Sequence, residues 1–87
     1  MARVCVWGPL KQLAGGASEH RIDGSTVLDL LEGLEREYPA LAGWMLDERR
    51  TIRRHLNVYV NGERGSAATS VAGEDRVEVL PAITGGT

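Results

Sequence analysis

The chain has 87 residues, of which 43% are hydrophobic and 25% charged, and its formal net charge at pH 7 is −2. This length supports one domain with one small core, and it leaves little room for a deep pocket surrounded by catalytic groups. Ten basic residues stand against twelve acidic ones. A nucleic-acid-binding domain shows a larger basic excess, so nucleic acid is not expected as a partner.

The cysteine, histidine and apolar residues of the sequence argue against a disulfide, a metal site and a membrane span. Cys5 is the only cysteine, which rules out an intrachain disulfide. His20 and His55 are far apart in sequence and are predicted to be surface residues, so no metal site is expected. No apolar stretch approaches the roughly 18 residues that a membrane span needs, and the first residues lack the apolar core of a signal peptide. We therefore expect a cytoplasmic protein with no membrane partner.

The first 22 residues predict a hairpin. Residues 2–7 alternate as a strand that ends at Gly8-Pro9, and residues 17–22 form a second, short and largely polar strand. Residues 10–13 lead into the turn signal Gly15-Gly16 between them.

One long amphipathic helix follows. Thr26 is placed to cap its first turn, and Asp29 adds negative charge near the helix N-terminus. The apolar residues of the helix recur at helical spacing, at Val27, Leu31, Leu34 and Tyr38. Pro39 disfavours helical geometry at the residue before it, so we expect the helix to stop at Tyr38.

The segment after this helix predicts a short second helix over residues 40–47, with Leu41, Trp44 and Met45 on its apolar side. The basic connector that follows carries the only local cluster of positive charge, formed by Arg49, Arg50, Arg53 and Arg54. We interpret this cluster as a solvated face, with a docking patch for an acidic partner as the alternative.

Two further strands complete the domain. Residues 55–60 alternate and precede the strong turn signal Asn61-Gly62, and residues 75–80 form the last strand, which Pro81 closes. The intervening loop is small and polar, with Val71 as its anchor. The order predicts an α+β domain over residues 1–81, with a mixed sheet of four to five strands packed on one main helix plus a short second helix. Residues 82–87 form a tail that carries Gly85-Gly86.

The order and spacing of several short motifs resemble the MoaD/ThiS family of ubiquitin-like sulfur carriers, and residues 54–61 most resemble its CysO-like branch. The resemblance covers nearly the whole chain and rests on residues 26–31, Tyr38-Pro39, residues 57–62, residues 73–81 and Gly85-Gly86. It implies the β-grasp fold with the sheet order of ubiquitin, in which the first, last and third strands lie side by side.

The resemblance also implies a function. Members of the family are protein substrates rather than enzymes, and they bind no cofactor. A ubiquitin-activating-type adenylyltransferase, similar to MoeB or ThiF, uses ATP to adenylate the C-terminal glycine. The product is converted to a thiocarboxylate that donates sulfur to a biosynthetic enzyme, for the CysO-like branch one similar to a cysteine synthase, in the synthesis of cysteine, a cofactor or a secondary metabolite.

The physical properties of the tail suit this chemistry. Gly85 and Gly86 have no Cβ, so they pass through a channel too narrow for other residues, and their carbonyls are open to attack. One departure from the family pattern is Thr87, which leaves Gly86 without a free carboxylate. Our hypothesis is that a peptidase, such as the metalloprotease of some related systems, removes Thr87. The alternative is that Thr87 is an added terminal residue.

The strand alternation also predicts a docking face. If the valines of the strands face the helix, then Cys5, Trp7, Tyr59 and Leu80 lie together on the open face of the sheet as an exposed apolar patch, and Ile83 of the tail extends this partner-binding set. Burial of these side chains under the Trp44 segment or the loop is an equal alternative. Cys5 itself is more typical of a small semi-buried apolar residue than of a reactive thiol.

Two other functions keep the same tail chemistry. The chain could be the small subunit of molybdopterin synthase, which requires a stable complex with a large catalytic subunit. It could also be a ubiquitin-like modifier joined through Gly86 to lysines of other proteins.

Overall fold

The structure, a computed structural model, describes residues 1–81. Five strands form one mixed sheet in the order β2-β1-β5-β3-β4. The strands are β1 (Ala2–Val6), β2 (Glu19–Ile22), β3 (Leu56–Val60), β4 (Glu63–Arg64) and β5 (Arg76–Pro81). The first and last strands pair in parallel at the centre of the sheet, and the other neighbours are antiparallel. This arrangement confirms the β-grasp prediction, including the adjacency of the first, last and third strands.

The main helix, α2, spans Val27–Glu37 and follows its predicted signals. The Thr26 hydroxyl accepts a hydrogen bond from the Asp29 backbone N–H at 3.2 Å, which satisfies one of the amides that an N-terminal turn leaves without a helical partner. The helix ends before Tyr38, which precedes Pro39, as expected.

The core lies between the sheet and α2. Alternate strand residues Val4, Val6, Val77 and Val79 face it and are fully buried. The helix contributes its apolar stripe of Val27, Leu30, Leu31 and Leu34, which is also fully buried. Each buried leucine contributes about 1.5–3 kcal/mol relative to an exposed one. The packing of α2 on the sheet is therefore a major source of stability.

The hairpin between β3 and β4 confirms the turn at Asn61-Gly62. Its two residues have φ values of 51° and 86°. Two-residue hairpin loops of this kind need positive φ at both positions, which asparagine and glycine tolerate best. The strand β4 itself was not predicted, because Glu63 and Arg64 have no apolar alternation.

The short second helix lies elsewhere than predicted. It is α1 (Pro9–Leu13), which was interpreted as a connection to a turn, and it begins with a proline, a residue favoured in the first turn of a helix. Residues 40–47 do not form the expected helix. A single 3₁₀ turn over Pro39–Leu41 is followed by Gly43, whose φ of 84° ends the helical path. Two of the expected apolar residues of this segment, Leu41 and Met45, are nevertheless fully buried.

His20 is another correction. It was predicted to lie at the surface, but only 8% of it is exposed. Its Nε2 is 2.8 Å from the Ala17 carbonyl oxygen, and its ring packs edge-on against Tyr38 with centroids 5.1 Å apart. The imidazole therefore fills a structural position between β2 and the end of α2.

Candidate functional site

The predicted tail, residues 82–87, follows Pro81, the last residue of the domain. Gly85, Gly86 and Thr87, together with Ile83 of the predicted partner-binding set, lie outside the described residues. Pro81 ends β5, which lies between β1 and β3 at the centre of the sheet, and it pairs with Leu56. The last described residue before the tail therefore belongs to the central strand of the sheet, which is paired on both sides.

The open face of the sheet carries the predicted docking residues in a fixed register. Cys5 pairs with Glu78, and Glu78 pairs with Tyr59, so these three side chains form one row across the sheet. Leu80 lies two residues after Glu78 on β5, and therefore on the same face, where it pairs with Asn57. Cys5, Tyr59 and Leu80 thus share one face, as predicted.

The expectation of a contiguous exposed apolar patch is wrong, for two reasons. Glu78 stands between Cys5 and Tyr59 in the register and lies 3.8 Å from the Arg76 guanidinium. Cys5 is only 3% exposed, so it offers almost no surface to a partner, whereas Tyr59 and Leu80 are half-buried. The face is a mixed one, with a charged centre beside Tyr59 and Leu80.

Cys5 behaves as a covered thiol. Burial raises its pKa, an effect that the neighbouring Arg76 opposes and that Glu19 and Glu78 reinforce. Its Sγ lies 4.0 Å from Glu19 Oε1. Because only the thiolate is a good nucleophile, this environment favours the inert, protonated form.

A small apolar cleft lies at the root of the tail and will be called the tail-root cleft. It has a volume of about 70 Å³ and is lined by Trp7, Pro9, Leu10, Trp44, His55, Leu56 and Pro81. Pro81 in its wall places the start of the tail directly beside it. The predicted docking residue Trp7 lies here, so the predicted set is divided between this cleft and the open face.

Trp44 is the functional candidate that sequence reasoning misplaced. It was assigned to the apolar side of a helix, yet 45% of it is exposed. The helical spacing that suggested burial does not apply, because Gly43 adopts positive φ immediately before it. That glycine was the signal in the sequence which could have separated Trp44 from its buried neighbours Leu41 and Met45.

The described residues offer little for other kinds of site. Within residues 1–81, no group of three or more histidine, cysteine, aspartate or glutamate side chains is placed to hold a metal ion. None of the helices in the same range has the length and apolar composition that a membrane crossing requires.

Comparison with known proteins decides the family. The model of the ThiS family matches residues 4–86. The chain belongs to the ThiS family.

Relatives and solved structures of the family agree with this assignment. The chain is 31% identical over 83 residues to the sulfur carrier protein CysO of Mycobacterium tuberculosis, with 88% of this chain and 89% of the relative covered. It is 37% identical over 68 residues to small archaeal modifier protein 3 of Haloferax volcanii, covering 74% and 73% of the two chains. One chain of the Amycolatopsis orientalis BexX/CysO complex superposes with a TM-score of 0.87 at 28% identity, over 99% of this chain and 100% of that one.

Membership confirms the predicted resemblance to MoaD/ThiS ubiquitin-like sulfur carriers with CysO among the similar proteins. Members of the ThiS family that match this chain are small carrier or modifier proteins. The family match extends through the glycine pair and ends at Gly86, one residue before Thr87.

Proposed function

We propose that this chain is a sulfur carrier whose reactive group is the carboxylate of Gly86, exposed by removal of Thr87. The observation that carries the proposal is the extent of the family match, which includes Gly85-Gly86 and leaves Thr87 outside. A carboxylate at Gly86 is available only after the peptide bond to Thr87 is hydrolysed, and the proposed agent is a peptidase such as a metalloprotease.

The proposed chemistry has two steps, the first at a carboxylate oxygen of Gly86 and the second at its carbonyl carbon. A carboxylate oxygen of Gly86 attacks the α-phosphorus of ATP on a MoeB- or ThiF-like adenylyltransferase, and pyrophosphate leaves. Hydrosulfide then attacks the carbonyl carbon of the acyl adenylate. AMP leaves with the shared oxygen and one proton is released, so the product is a thiocarboxylate that donates sulfur as a nucleophile.

The geometry at the root of the tail supports this role. A carrier must present its terminus to an activating enzyme and then to a sulfur acceptor, so it needs a rigid body and a surface that several partners recognise. Pro81 ends the central strand, and the tail-root cleft lies beside it with the partly exposed indole of Trp44. Tyr59 and Leu80 add apolar area on the open face, and aromatic side chains are the common anchors of protein interfaces.

The proposed partners are therefore the adenylyltransferase and a sulfur-accepting biosynthetic enzyme, for which a cysteine-synthase-like protein is the leading candidate. The solved BexX/CysO complex is an example of a similar protein bound to another protein. ATP is consumed by the activating partner in this scheme, and the carrier itself holds no cofactor.

A second function is favoured by a specific relative. The 37% identity to a small archaeal modifier protein supports conjugation of Gly86 to lysine side chains of other proteins. Conjugation uses the same activated Gly86 but ends in an amide bond instead of a thiocarboxylate. It predicts higher-mass species on a blot that survive reducing agent, whereas the carrier function predicts none.

Intact mass spectrometry tests the proposal. The full chain is incubated with host lysate and then with ATP, the host's adenylyltransferase and sulfide. We expect the loss of one threonine residue, followed by a mass increase equal to the replacement of one oxygen by sulfur. A variant that lacks Gly86 and Thr87 is the control and should not gain this increase. Retention of Thr87 while the chain still supports sulfur transfer would contradict the processing step.

A further inference from the structure

The basic cluster of the sequence separates into two parts in the structure. Arg50 Nε and Nη1 donate hydrogen bonds to Glu32 Oε2 at 3.0 Å and to Glu35 Oε1 at 3.3 Å, so this guanidinium ties its loop to α2. These two carboxylates raise the pKa of Arg50 further. Arg53 and Arg54 line a groove together with Arg64 of β4, and Arg53 also lines a neighbouring cavity with Arg50 and Glu35.

This arginine groove has a volume of about 370 Å³. The residues that line it include three arginines, Arg53, Arg54 and Arg64, called its rim below, and three apolar residues, Ile52, Leu56 and Val58, called its floor. Ile52 is half-buried, and Leu56 and Val58 are buried. Arg54 and Arg64 are exposed, and Arg53 is half-buried. A groove with an apolar floor and a cationic rim suits a ligand that combines an aliphatic side chain with carboxylates.

The positive charge of the rim is not neutralised within the described part of the chain. Among residues 1–81, none of the ion pairs involves Arg53, Arg54 or Arg64, although Arg21, Arg50 and Arg76 each have an acidic partner. The Nε of Arg53 is buried and has no hydrogen-bond acceptor in the same range. Arg54 and Arg64, which are exposed, are therefore the rim residues that an incoming carboxylate can reach.

One acidic side chain lies in the adjoining lobe of the groove, but it is already engaged. Asp47 accepts a hydrogen bond from Thr51 Oγ1 at 2.6 Å and others from the Thr51 and Arg49 backbone N–H groups. The hydrogen bonds from Thr51 are the main reason that the pKa of Asp47 is lowered. This carboxylate is therefore committed to its own loop and does not pair with the rim.

We propose that the arginine groove binds an acidic peptide segment of a protein partner, with carboxylates on Arg54 and Arg64 and an aliphatic side chain on the apolar floor. Bidentate pairing with carboxylates is the geometry that guanidinium groups favour. A nucleic acid is the less suitable occupant, because the chain as a whole carries a net charge of −2 and the floor is aliphatic.

The arginine groove lies next to the tail-root cleft, so one partner can contact both. Leu56 lines both the arginine groove and the tail-root cleft, so the two sites adjoin along β3. A partner that engages the tail root can therefore reach the groove with an adjacent acidic segment. Peptide binding requires neither Gly86 nor ATP, so its test is separate from that of the proposed sulfur chemistry.

Fluorescence anisotropy with a synthetic probe tests this inference. The probe is a short fluorescein-labelled peptide with glutamates on both sides of one leucine. The control peptide has the same sequence with each glutamate replaced by glutamine. We expect the full chain to bind the glutamate peptide more tightly than the glutamine peptide. Its affinity for the glutamate peptide should fall as salt is added. The double variant R54E/R64E should raise the Kd about tenfold, which corresponds to about 1.4 kcal/mol.

The matched control is R49E, which reverses the charge of an exposed arginine outside the groove. It should change the Kd less than about twofold. Circular dichroism verifies that each variant is folded, and R54Q/R64Q, with a smaller expected loss, replaces the double reversal if that variant is unfolded. The proposal would be overturned if R49E lost as much affinity for the glutamate peptide as R54E/R64E does, or if the glutamine peptide bound equally well. Tighter binding of an oligouridylate probe at the groove would also overturn it.

Discussion

Tyr59 is the single side chain on which the docking proposal depends most. It is half-buried on the open face, beside Glu78 and opposite Arg64 of β4. We expect Tyr59→Ala to weaken binding of the adenylyltransferase by about 2 kcal/mol or more, because truncation of an aromatic anchor removes a large contact area. Calorimetric titration measures the change. Arg36→Ala, at an exposed position on α2, is the control and should leave affinity unchanged. Loss of folding with unchanged affinity in the folded fraction would instead make Tyr59 a core residue.

Cys5 provides a second prediction for a single residue. Burial raises its pKa, so at neutral pH less thiolate is present than in free cysteine, and access is restricted as well. The native protein should therefore react with iodoacetamide more slowly than free cysteine, with an inflection of the rate above the ordinary thiol pKa. Unfolding in urea should restore the ordinary rate. An equal rate in native and unfolded protein would show that the thiol is exposed.

The sequence predicted the location of some site residues better than their exposure. The alternation of β1 and β5 placed Cys5 and Leu80 on the open face correctly, since strand residues two apart share a face. It could not predict that Cys5 would be buried on that face. Nor could helical spacing predict the exposure of Trp44, because that residue follows a glycine that ends the helical path.

At the level of elements, Gly33 of α2 lies close to Ile22 of β2. A Cβ at this position would lie 2.7 Å from Ile22 Cγ2 on β2, a branched side chain with little freedom to move. Alanine gains up to about 1 kcal/mol in helix propensity over glycine, but overpacking costs about 1–3 kcal/mol.

We therefore expect Gly33→Ala to lower the free energy of unfolding by about 1 kcal/mol, as measured by urea denaturation. Glu37→Ala, at an exposed position near the end of the same helix, should stay within about 0.5 kcal/mol of the original protein. Stabilisation by Gly33→Ala would mean that propensity outweighs the steric contact.

Elements with several independent signals were predictable, and short elements were not. The helix α2 has a cap, an apolar stripe and a proline stop, and these signals agree. The five residues of α1 and the two of β4 are too short to show a period, so their structure depends on contacts with the rest of the fold. The same limit applied to residues 40–47, where apolar spacing alone suggested a helix.

For the whole molecule, the sequence order allowed one sheet on one helix but did not contain the pairing of the strands. The parallel pairing of β1 with β5 joins the two ends of the domain, and no local pattern encodes such a distant contact. That pairing came from the resemblance to the MoaD/ThiS family, and the structure confirms it. It places the start of the tail at the centre of the sheet.

The central claim is that Gly86 is a reactive terminus which Thr87 keeps latent. Exchange of labelled pyrophosphate into ATP by the purified adenylyltransferase measures adenylation directly, without peptidase or sulfide. A chain that ends at Gly86 should support exchange, whereas the chain that ends at Thr87 and one with Gly86→Pro at its end should not, since the first has no carboxylate at Gly86 and the second cannot follow the same narrow path. Equal exchange with the chains ending at Gly86 and at Thr87 would contradict the account.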